Sequence, residues 1–126
     1  MGNGTSIGRV RGLGSARHGA QHWLVQRYTA IGNLVAGLFL LFSLVGLGDY
    51  TQKGLHEWLH QPLPATMVGL FVVSSFWHAR LGLQVLVEDY VHDDGNKFAC
   101  MALLNILAFA GAAFGLLCVV RIALGA

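Results

Sequence analysis

The side chains best suited to chemistry are concentrated in one apolar stretch, between Pro64 and Tyr90. His78 and Arg80 lie well inside this stretch, and Asp89 and Tyr90 end it. A neutral imidazole is a good ligand for a metal or a haem iron, and a phenol can donate a hydrogen bond to the carbonyl of a hydrophobic ligand. Where such a stretch spans a membrane, the ionisable residues inside it are functional candidates.

One helical face would carry several of these residues. At about 100° per residue, Gly82, Val85 and Asp89 fall within about 40° of His78. The face then has a possible ligand, a residue without a side chain one turn on, and a carboxylate at the end of the helix. A flat cofactor can lie against such a face. The alternative is a histidine that bonds to a neighbouring helix or lines a small polar cavity.

A second polar stripe runs along the other side of the same stretch. Arg80 points nearly opposite His78, and Gln84 and Glu88 follow it at helical spacing. The spacing predicts that Arg80 pairs with Glu88, directly or through Gln84. The alternative is that its charged end snorkels to the membrane surface. Tyr90 has an alternative of its own, as an ordinary tyrosine of the interfacial aromatic belt.

The sequence also contains a pattern typical of zinc proteases. His56, Glu57 and His60 follow H-E-x-x-H, which places two imidazoles and a general base on one helical face. The pattern lies in a short segment that ends at Pro62, and no third ligand is evident. Leu55, Trp58 and Leu59 make a narrow apolar face instead, which favours a short interfacial helix.

The elements that hold these residues follow from composition. Of 126 residues, 55% are hydrophobic and 11% are charged, against about 25% charged in ordinary soluble domains. This balance excludes a disordered chain and favours a membrane protein. Apolar runs predict three membrane-spanning helices, at about residues 28–48, 64–90 and 98–121, because a backbone in lipid must satisfy its own hydrogen bonds. We therefore expect an all-α, three-helix anchor domain over residues 28–126.

Flanking charges predict the topology. Arg9, Arg11, Arg17 and Arg27 precede the first span without an acidic residue among them, which predicts a cytoplasmic segment over residues 1–27. That segment lacks the apolar core of a secretory signal. We expect a bacterial inner membrane rather than a mitochondrial one, and contact with membrane lipid. The net charge of +2, without a basic patch, argues against nucleic acid as a partner.

Small residues on the third span predict helix packing. Gly111 and Gly115 form a G-x-x-x-G pair, with Ala108 and Ala112 beside it. Such a surface lets another helix approach closely, so we expect partner helices.

Two motifs resemble those of a known family. The segment from His78 to Val91, with glycine four residues after the histidine and Asp89-Tyr90 after it, is similar to the second-helix signature of the small haem-binding membrane anchor of succinate dehydrogenase. The stretch from Gly12 to Ile31, with its Arg27-x-Thr-Ala-Ile ending, resembles the segment that leads into the first helix of that family.

The resemblance implies a shared electron-transfer site. It implies that His78 is one axial ligand of haem b, with the second from a partner, the cytochrome b anchor, and that Arg27 lies near the haem propionates. It also implies that Tyr90 hydrogen-bonds the carbonyl of ubiquinone and that Asp89 supports that site. The expected partners are the cytochrome b anchor, the iron-sulphur subunit and the flavoprotein subunit. Two alternatives are a fumarate reductase anchor and a small membrane protein without a redox role.

Overall fold

The protein is helical apart from short connections in the region that a computed structural model describes, residues 19–125. Its helices are α1 (Gly19–Val45), α2 (Gln52–His60), α3 (Pro62–Tyr90) and α4 (Asp94–Ala123). Helices α1, α3 and α4 are each long and apolar enough to cross a membrane, whereas α2 is a short connection. The predicted all-α fold with three membrane-spanning helices is confirmed. Arg9, Arg11 and Arg17 lie outside the described residues, as do residues 12–18 of the upstream motif.

The first helix differs from its predicted bounds. It begins at Gly19 and ends at Val45, whereas the apolar run predicted residues 28–48. The prediction located the uncharged part of this helix. A helix can continue beyond the hydrocarbon core of the membrane as long as its backbone hydrogen bonds are made. Its end comes early because Gly46 leads into Gly48, whose φ of 72° is favourable only for glycine. Helix α3 begins two residues before its predicted start and ends at Tyr90 as predicted, and α4 exceeds its predicted bounds by a few residues at each end.

Short capping motifs set where the other helices begin. The Asp93 side chain accepts a 2.8 Å hydrogen bond from the Asn96 backbone N–H and so caps α4. Helix α3 begins with Pro62, whose missing N–H costs nothing in the first turn. Thr51 caps α2 through the Gly54 N–H, and the Thr51 N–H in turn bonds to Asp49, which lowers the pKa of that carboxyl.

Helix α3 lies between the other two long helices. It packs against α1 on one side and α4 on the other, and no Cα atom of α1 lies within 8 Å of a Cα atom of α4. Helices α1, α3 and α4 thus form a row rather than a closed bundle. Most of their large apolar side chains are exposed, and the buried apolar residues other than glycine within residues 19–125 are Ala36, Trp58, Pro64, Leu81 and Val119. A surface of this kind suits a lipid environment and neighbouring subunits.

Small residues allow α3 and α4 to pack closely. A Cβ atom added at Gly111 would overlap the Phe76 ring, and one added at Gly115 would lie 2.7 Å from Cγ1 of Val72. The G-x-x-x-G pair therefore does what its spacing predicts. The helix that it receives, however, is α3 of the same chain rather than one from a partner.

Helix α2 connects the row at one end. The Trp58 Nε1 donates a 2.8 Å hydrogen bond to Ser43 Oγ near the end of α1. His60 Nδ1 lies 3.2 Å from the carbonyl oxygen of Ala123, at the end of α4. We call this the α2 end of the molecule. The opposite end, where α1 begins, α3 finishes and α4 begins, is called the Tyr90 end.

Candidate functional site

Polar side chains line the contact between α1 and α3. The Ser75 hydroxyl donates to Asn33 Oδ1 at 3.3 Å, and the Ser74 hydroxyl donates to the Thr29 carbonyl at 3.2 Å. At the same level, Thr29 Oγ1 lies 3.0 Å from His78 Nδ1. Helices that meet inside a membrane use such hydrogen bonds because the surrounding lipid provides none. We call this cluster the α1–α3 seam.

His78 is therefore a half-buried residue that lies inside the spanning part of α3 and contacts α1. Its Nδ1 is occupied by Thr29, and no hydrogen bond to its Nε2 occurs within residues 19–125. The second ring nitrogen is the atom that remains for a ligand. The alternative, a bond to a neighbouring helix, is present at Nδ1. It leaves Nε2 available, and the role of His78 as a metal or haem ligand stays a prediction.

The face beside His78 is open. Gly82 lies one turn further along α3, and a Cβ atom added there would meet nothing within 4 Å. Val85, one turn beyond, is exposed, and so is Asp89 at the end of the helix. The continuous helix from Pro62 to Tyr90 thus presents His78, Gly82 and Asp89 along one side. A planar group has room against this side of α3.

Arg80 does not pair with Glu88, so that prediction was wrong. Its Nε donates to Oδ1 of Asn105 on α4, and its guanidinium carbon lies 5.5 Å from the centre of the Trp77 ring. Gln84 bonds to Glu88 at 2.8 Å without Arg80. Helix α4 packs against the Arg80 side of α3, so an amide directly across the interface is nearer than a carboxylate two turns along the same helix.

Tyr90 and Asp89 lie at the exposed end of α3. Tyr90 is 77% exposed, and its hydroxyl makes no hydrogen bond to another described residue. Twelve residues separate it from His78, which corresponds to about 18 Å along the helix. Tyr90 also lines an apolar groove of about 420 Å³ between α3 and α4, together with Leu83, Leu86, Val87, Val91, Cys100, Leu103, Leu104 and Leu107. The end of α3 therefore combines a free phenol with an apolar surface.

The structure does not place the side chain of Arg27 beside His78. Two residues before Thr29 on α1, it points about 160° away from the seam. The side chain is exposed, and its guanidinium carbon lies 5.1 Å from the centre of the Trp23 ring. We assigned no role to His22 from the sequence. Unlike Arg27, it lies on the side of α1 that faces the seam. Its Nε2 is buried and has no hydrogen-bond partner within residues 19–125.

The zinc-protease pattern forms no metal site in the described part of the chain. His56, Glu57 and His60 belong to α2, as the amphipathic pattern predicts. Glu57 instead lies 3.8 Å from Lys53 in an exposed ion pair, and residues 19–125 contain no group of three possible ligands. Trp58 is buried on the apolar side of α2. The prediction of a short amphipathic helix is confirmed, and its position at the membrane interface stays a prediction.

Sequence reasoning missed two residues that the structure brings to these sites, Thr29 and Asn105. A signal for Thr29 was present: Gln26, Thr29 and Asn33 recur at helical spacing in a span that is otherwise apolar. A polar stripe of this kind predicts a polar stripe on the helix it faces. No comparable spacing identifies Asn105, because it is an isolated amide in α4.

Comparison with known proteins identifies the family. A family model described as the succinate dehydrogenase/fumarate reductase transmembrane subunit matches residues 1–113. The chain belongs to this family. Membership in this family agrees with the positions of His78, Gly82 and the Asp89-Tyr90 pair, which are among the features on which the resemblance was based.

Individual relatives agree. The chain is 35% identical over 115 residues to the succinate dehydrogenase hydrophobic membrane anchor subunit of Rickettsia bellii, covering 90% of this chain and 86% of the relative. It is 28% identical over 118 residues to the subunit of that name from Paracoccus denitrificans, covering 93% and 90%. A succinate dehydrogenase membrane anchor subunit from Reclinomonas americana is 28% identical over 95 residues, covering 73% and 79%. No solved structure matches the chain significantly. The identification as a succinate dehydrogenase membrane anchor is confirmed.

Proposed function

We propose that this chain holds one side of a haem b and forms part of the ubiquinone-reduction site of a succinate dehydrogenase. The observation that carries the proposal is His78 in the α1–α3 seam, with Nδ1 bonded to Thr29 and Gly82 open one turn away. The relatives of this chain are named as anchors of succinate dehydrogenase, which favours electron flow from succinate to quinone over fumarate reduction.

The residues present suit a haem. His78 would hold the haem iron through Nε2, and the missing side chain at Gly82 leaves room for a macrocycle against α3. When bound, haem b supplies a one-electron carrier within the membrane. The family resemblance assigns the second axial histidine to the cytochrome b anchor. The row of helices supports this division, because a single layer leaves one broad side of α3 for a second anchor.

Arg27 is proposed as a ligand of a haem propionate. It is exposed, and its guanidinium contacts Trp23 rather than a carboxylate. An arginine fork binds a carboxylate with two hydrogen bonds, which makes it suitable for a propionate. Because Arg27 lies on the outer side of α1, this role requires its long side chain to leave Trp23 and turn towards the seam.

The Tyr90 end is proposed as this chain's share of the quinone site. The free Tyr90 hydroxyl can donate a hydrogen bond to a quinone carbonyl. Asp89 beside it is exposed, and its carboxyl group can orient neighbouring hydrogen-bond donors. The apolar groove below Tyr90 suits a hydrophobic ligand. Reduction of ubiquinone to ubiquinol takes two electrons and two protons. The solvent-exposed end of α3 has access to protons.

The proposed partners lie at the Tyr90 end. The arginines that precede α1 predict a cytoplasmic Tyr90 end in a bacterial inner membrane. The iron-sulphur subunit would then dock there and link the flavoprotein subunit to the quinone, while the cytochrome b anchor packs within the membrane.

One experiment tests this proposal. An affinity tag on the chain is used to purify it from membranes, the copurifying subunits are identified, and a reduced-minus-oxidised spectrum is recorded. We expect a flavoprotein, an iron-sulphur protein, a second anchor and the absorption of a low-spin haem b. Their joint absence would favour a small membrane protein without a redox role. A complex that reduces fumarate with low-potential quinols faster than it oxidises succinate would favour the fumarate reductase alternative.

A further inference from the structure

Thr29 makes three contacts through one oxygen atom. Its Oγ1 lies 3.0 Å from the carbonyl oxygen of Val25, 3.0 Å from that of Gln26, and 3.0 Å from His78 Nδ1. A hydroxyl has one proton to donate and two lone pairs that accept. These contacts therefore restrict where the hydroxyl proton of Thr29 and the imidazole proton of His78 can lie.

The two carbonyl groups decide where the hydroxyl proton lies. A carbonyl oxygen can only accept, so the short distances to Val25 and Gln26 require the Thr29 proton between them and Oγ1. Threonine commonly bonds in this way to the preceding turn of a helix. If the hydroxyl proton pointed to His78 instead, the lone pairs of Oγ1 would face those of two carbonyl oxygens at 3.0 Å, with no proton between them. Thr29 is therefore an acceptor towards His78, and Nδ1 carries the imidazole proton.

We propose that Thr29 is a positioning residue that fixes the tautomer and the ring orientation of His78, and so presents its Nε2 lone pair to the haem iron. This inference rests on the proposed function, since it assumes a haem at His78. A hydrogen bond from the Nδ1–H of a ligating histidine orients the ring and raises the basicity of the other nitrogen. The hydroxyl of Thr29 is the group that accepts this bond.

The seam keeps Thr29 itself in place. Its backbone carbonyl accepts the hydrogen bond from the Ser74 hydroxyl of α3 at 3.2 Å. The hydroxyl is held by Val25 and Gln26 within α1. The acceptor offered to His78 is thus fixed by contacts on both helices.

The test uses the purified complex with Thr29→Val, Thr29→Ser and the matched control Thr66→Val. Valine keeps the shape of threonine without its hydroxyl, and serine restores the hydroxyl. Thr66 has the same bond to the preceding turn, to the Pro62 carbonyl at 2.7 Å, but lies near the α2 end away from His78. Three properties are measured: the rate of haem transfer to excess apomyoglobin, the haem midpoint potential, and the electron paramagnetic resonance spectrum of the oxidised haem.

We expect Thr29→Val to lose haem roughly 10-fold faster than the wild type, the lower end of the range for removing the group behind a metal ligand. Its midpoint potential should become more positive, because a less basic histidine stabilises ferric iron less. Its resonance spectrum should shift as the ring orientation relaxes. Thr29→Ser and Thr66→Val should match the wild type in all three.

The possible failures are distinguishable. A wild-type complex without haem would overturn the proposed function and this inference with it. A wild-type complex that contains haem, together with a Thr29→Val variant whose potential and haem loss equal those of Thr29→Ser, would overturn the inference alone. Equal changes in Thr29→Val and Thr66→Val would also overturn it, because they would reflect a general effect of removing a threonine from a spanning helix.

Discussion

The indole nitrogen of Trp58 donates a 2.8 Å hydrogen bond to the hydroxyl of Ser43, across the turn that separates α1 from α2. Trp58 is 8% exposed, so this bond fixes a buried ring rather than a surface side chain. The contact matters because no Cα atom of α1 lies within 8 Å of a Cα atom of α4, and α2 adds a second link between these two helices besides α3. The first prediction concerns this bond.

Replacing Trp58 by Phe keeps most of the ring and removes the donor. We expect a loss of about 1 kcal/mol in the stability of the solubilised complex, the usual net value of one hydrogen bond. Ser43→Ala should cost about the same, and the double variant no more than either one. Thermal unfolding of the three variants measures this coupling. Fully additive losses would show that Trp58 acts through packing alone.

The second prediction concerns the contact of α3 with α4. Gly115→Leu should separate the two helices, because even its Cβ would lie 2.7 Å from Val72, whose branched side chain has little freedom to move. We expect a cost of about 1–3 kcal/mol, measured as a lower yield and a lower melting temperature of the complex. Ala110→Leu adds bulk at an exposed position of α4 and serves as the control. Equal stability of the two variants would contradict the packing.

The third prediction uses the open side of α3. A Cβ atom added at Gly82 meets nothing within 4 Å in the described part of the chain, so we expect the main effect of Gly82→Leu to come from a group that lies against Gly82 in the assembled complex. We expect the amount of haem b per flavin to fall several-fold in Gly82→Leu, read from the reduced-minus-oxidised spectrum. Ala110→Leu should retain wild-type haem. Full haem content in Gly82→Leu would argue against a macrocycle on this face.

The fourth prediction concerns the hydroxyl at the end of α3. Tyr90→Phe should lower the rate of ubiquinone reduction about 10-fold, equivalent to about 1.4 kcal/mol and within the range of one lost hydrogen bond. Succinate oxidation with an artificial acceptor that draws electrons before the quinone should stay normal.

Tyr50→Phe provides the control for this measurement. Tyr50 lies near the α2 end and bonds to the Leu44 carbonyl at 2.9 Å. Its loss should leave both rates unchanged. Equal quinone reduction by Tyr90→Phe and the wild type would contradict the assignment of the phenol.

The fifth prediction tests the new partner of Arg80. Asn105→Leu leaves a guanidinium without its acceptor inside a spanning helix, and we expect a loss of about 1–3 kcal/mol. The double variant with Arg80→Met removes both polar groups and should recover most of that loss. Thermal unfolding of the complex measures both. No recovery in the double variant would show that Arg80 has another essential contact.

Much of this fold follows from the sequence because a lipid environment allows few backbone structures. Long apolar runs located the three spans, and two of these runs are free of charged residues. Helical spacing placed His78, Gly82 and Asp89 on one side. Spacing along a single helix cannot show which neighbour a side chain meets. Arg80 was therefore matched to Glu88 on its own helix, when Asn105 of α4 was the nearer group.

The same reason explains the other differences. Thr29 acquires its contact with His78 only when α1 packs against α3, so neither helix reveals it alone. Gly111 and Gly115 predicted a close helix, but not that this helix belongs to the same chain. The start of α1 was set too late because charge marks the edge of the hydrocarbon rather than the end of a helix.

The row arrangement also bears on how the chain is made. Within residues 19–125, the long helices that pack together are consecutive among the long helices, α1 with α3 and α3 with α4. As the ribosome delivers each span to the membrane, its partner within the chain is already there or is the next to arrive. The chain never has to bring its last helix back to its first, so assembly can keep pace with synthesis. The contact of His60 with the end of α4 is then the last of these contacts to form.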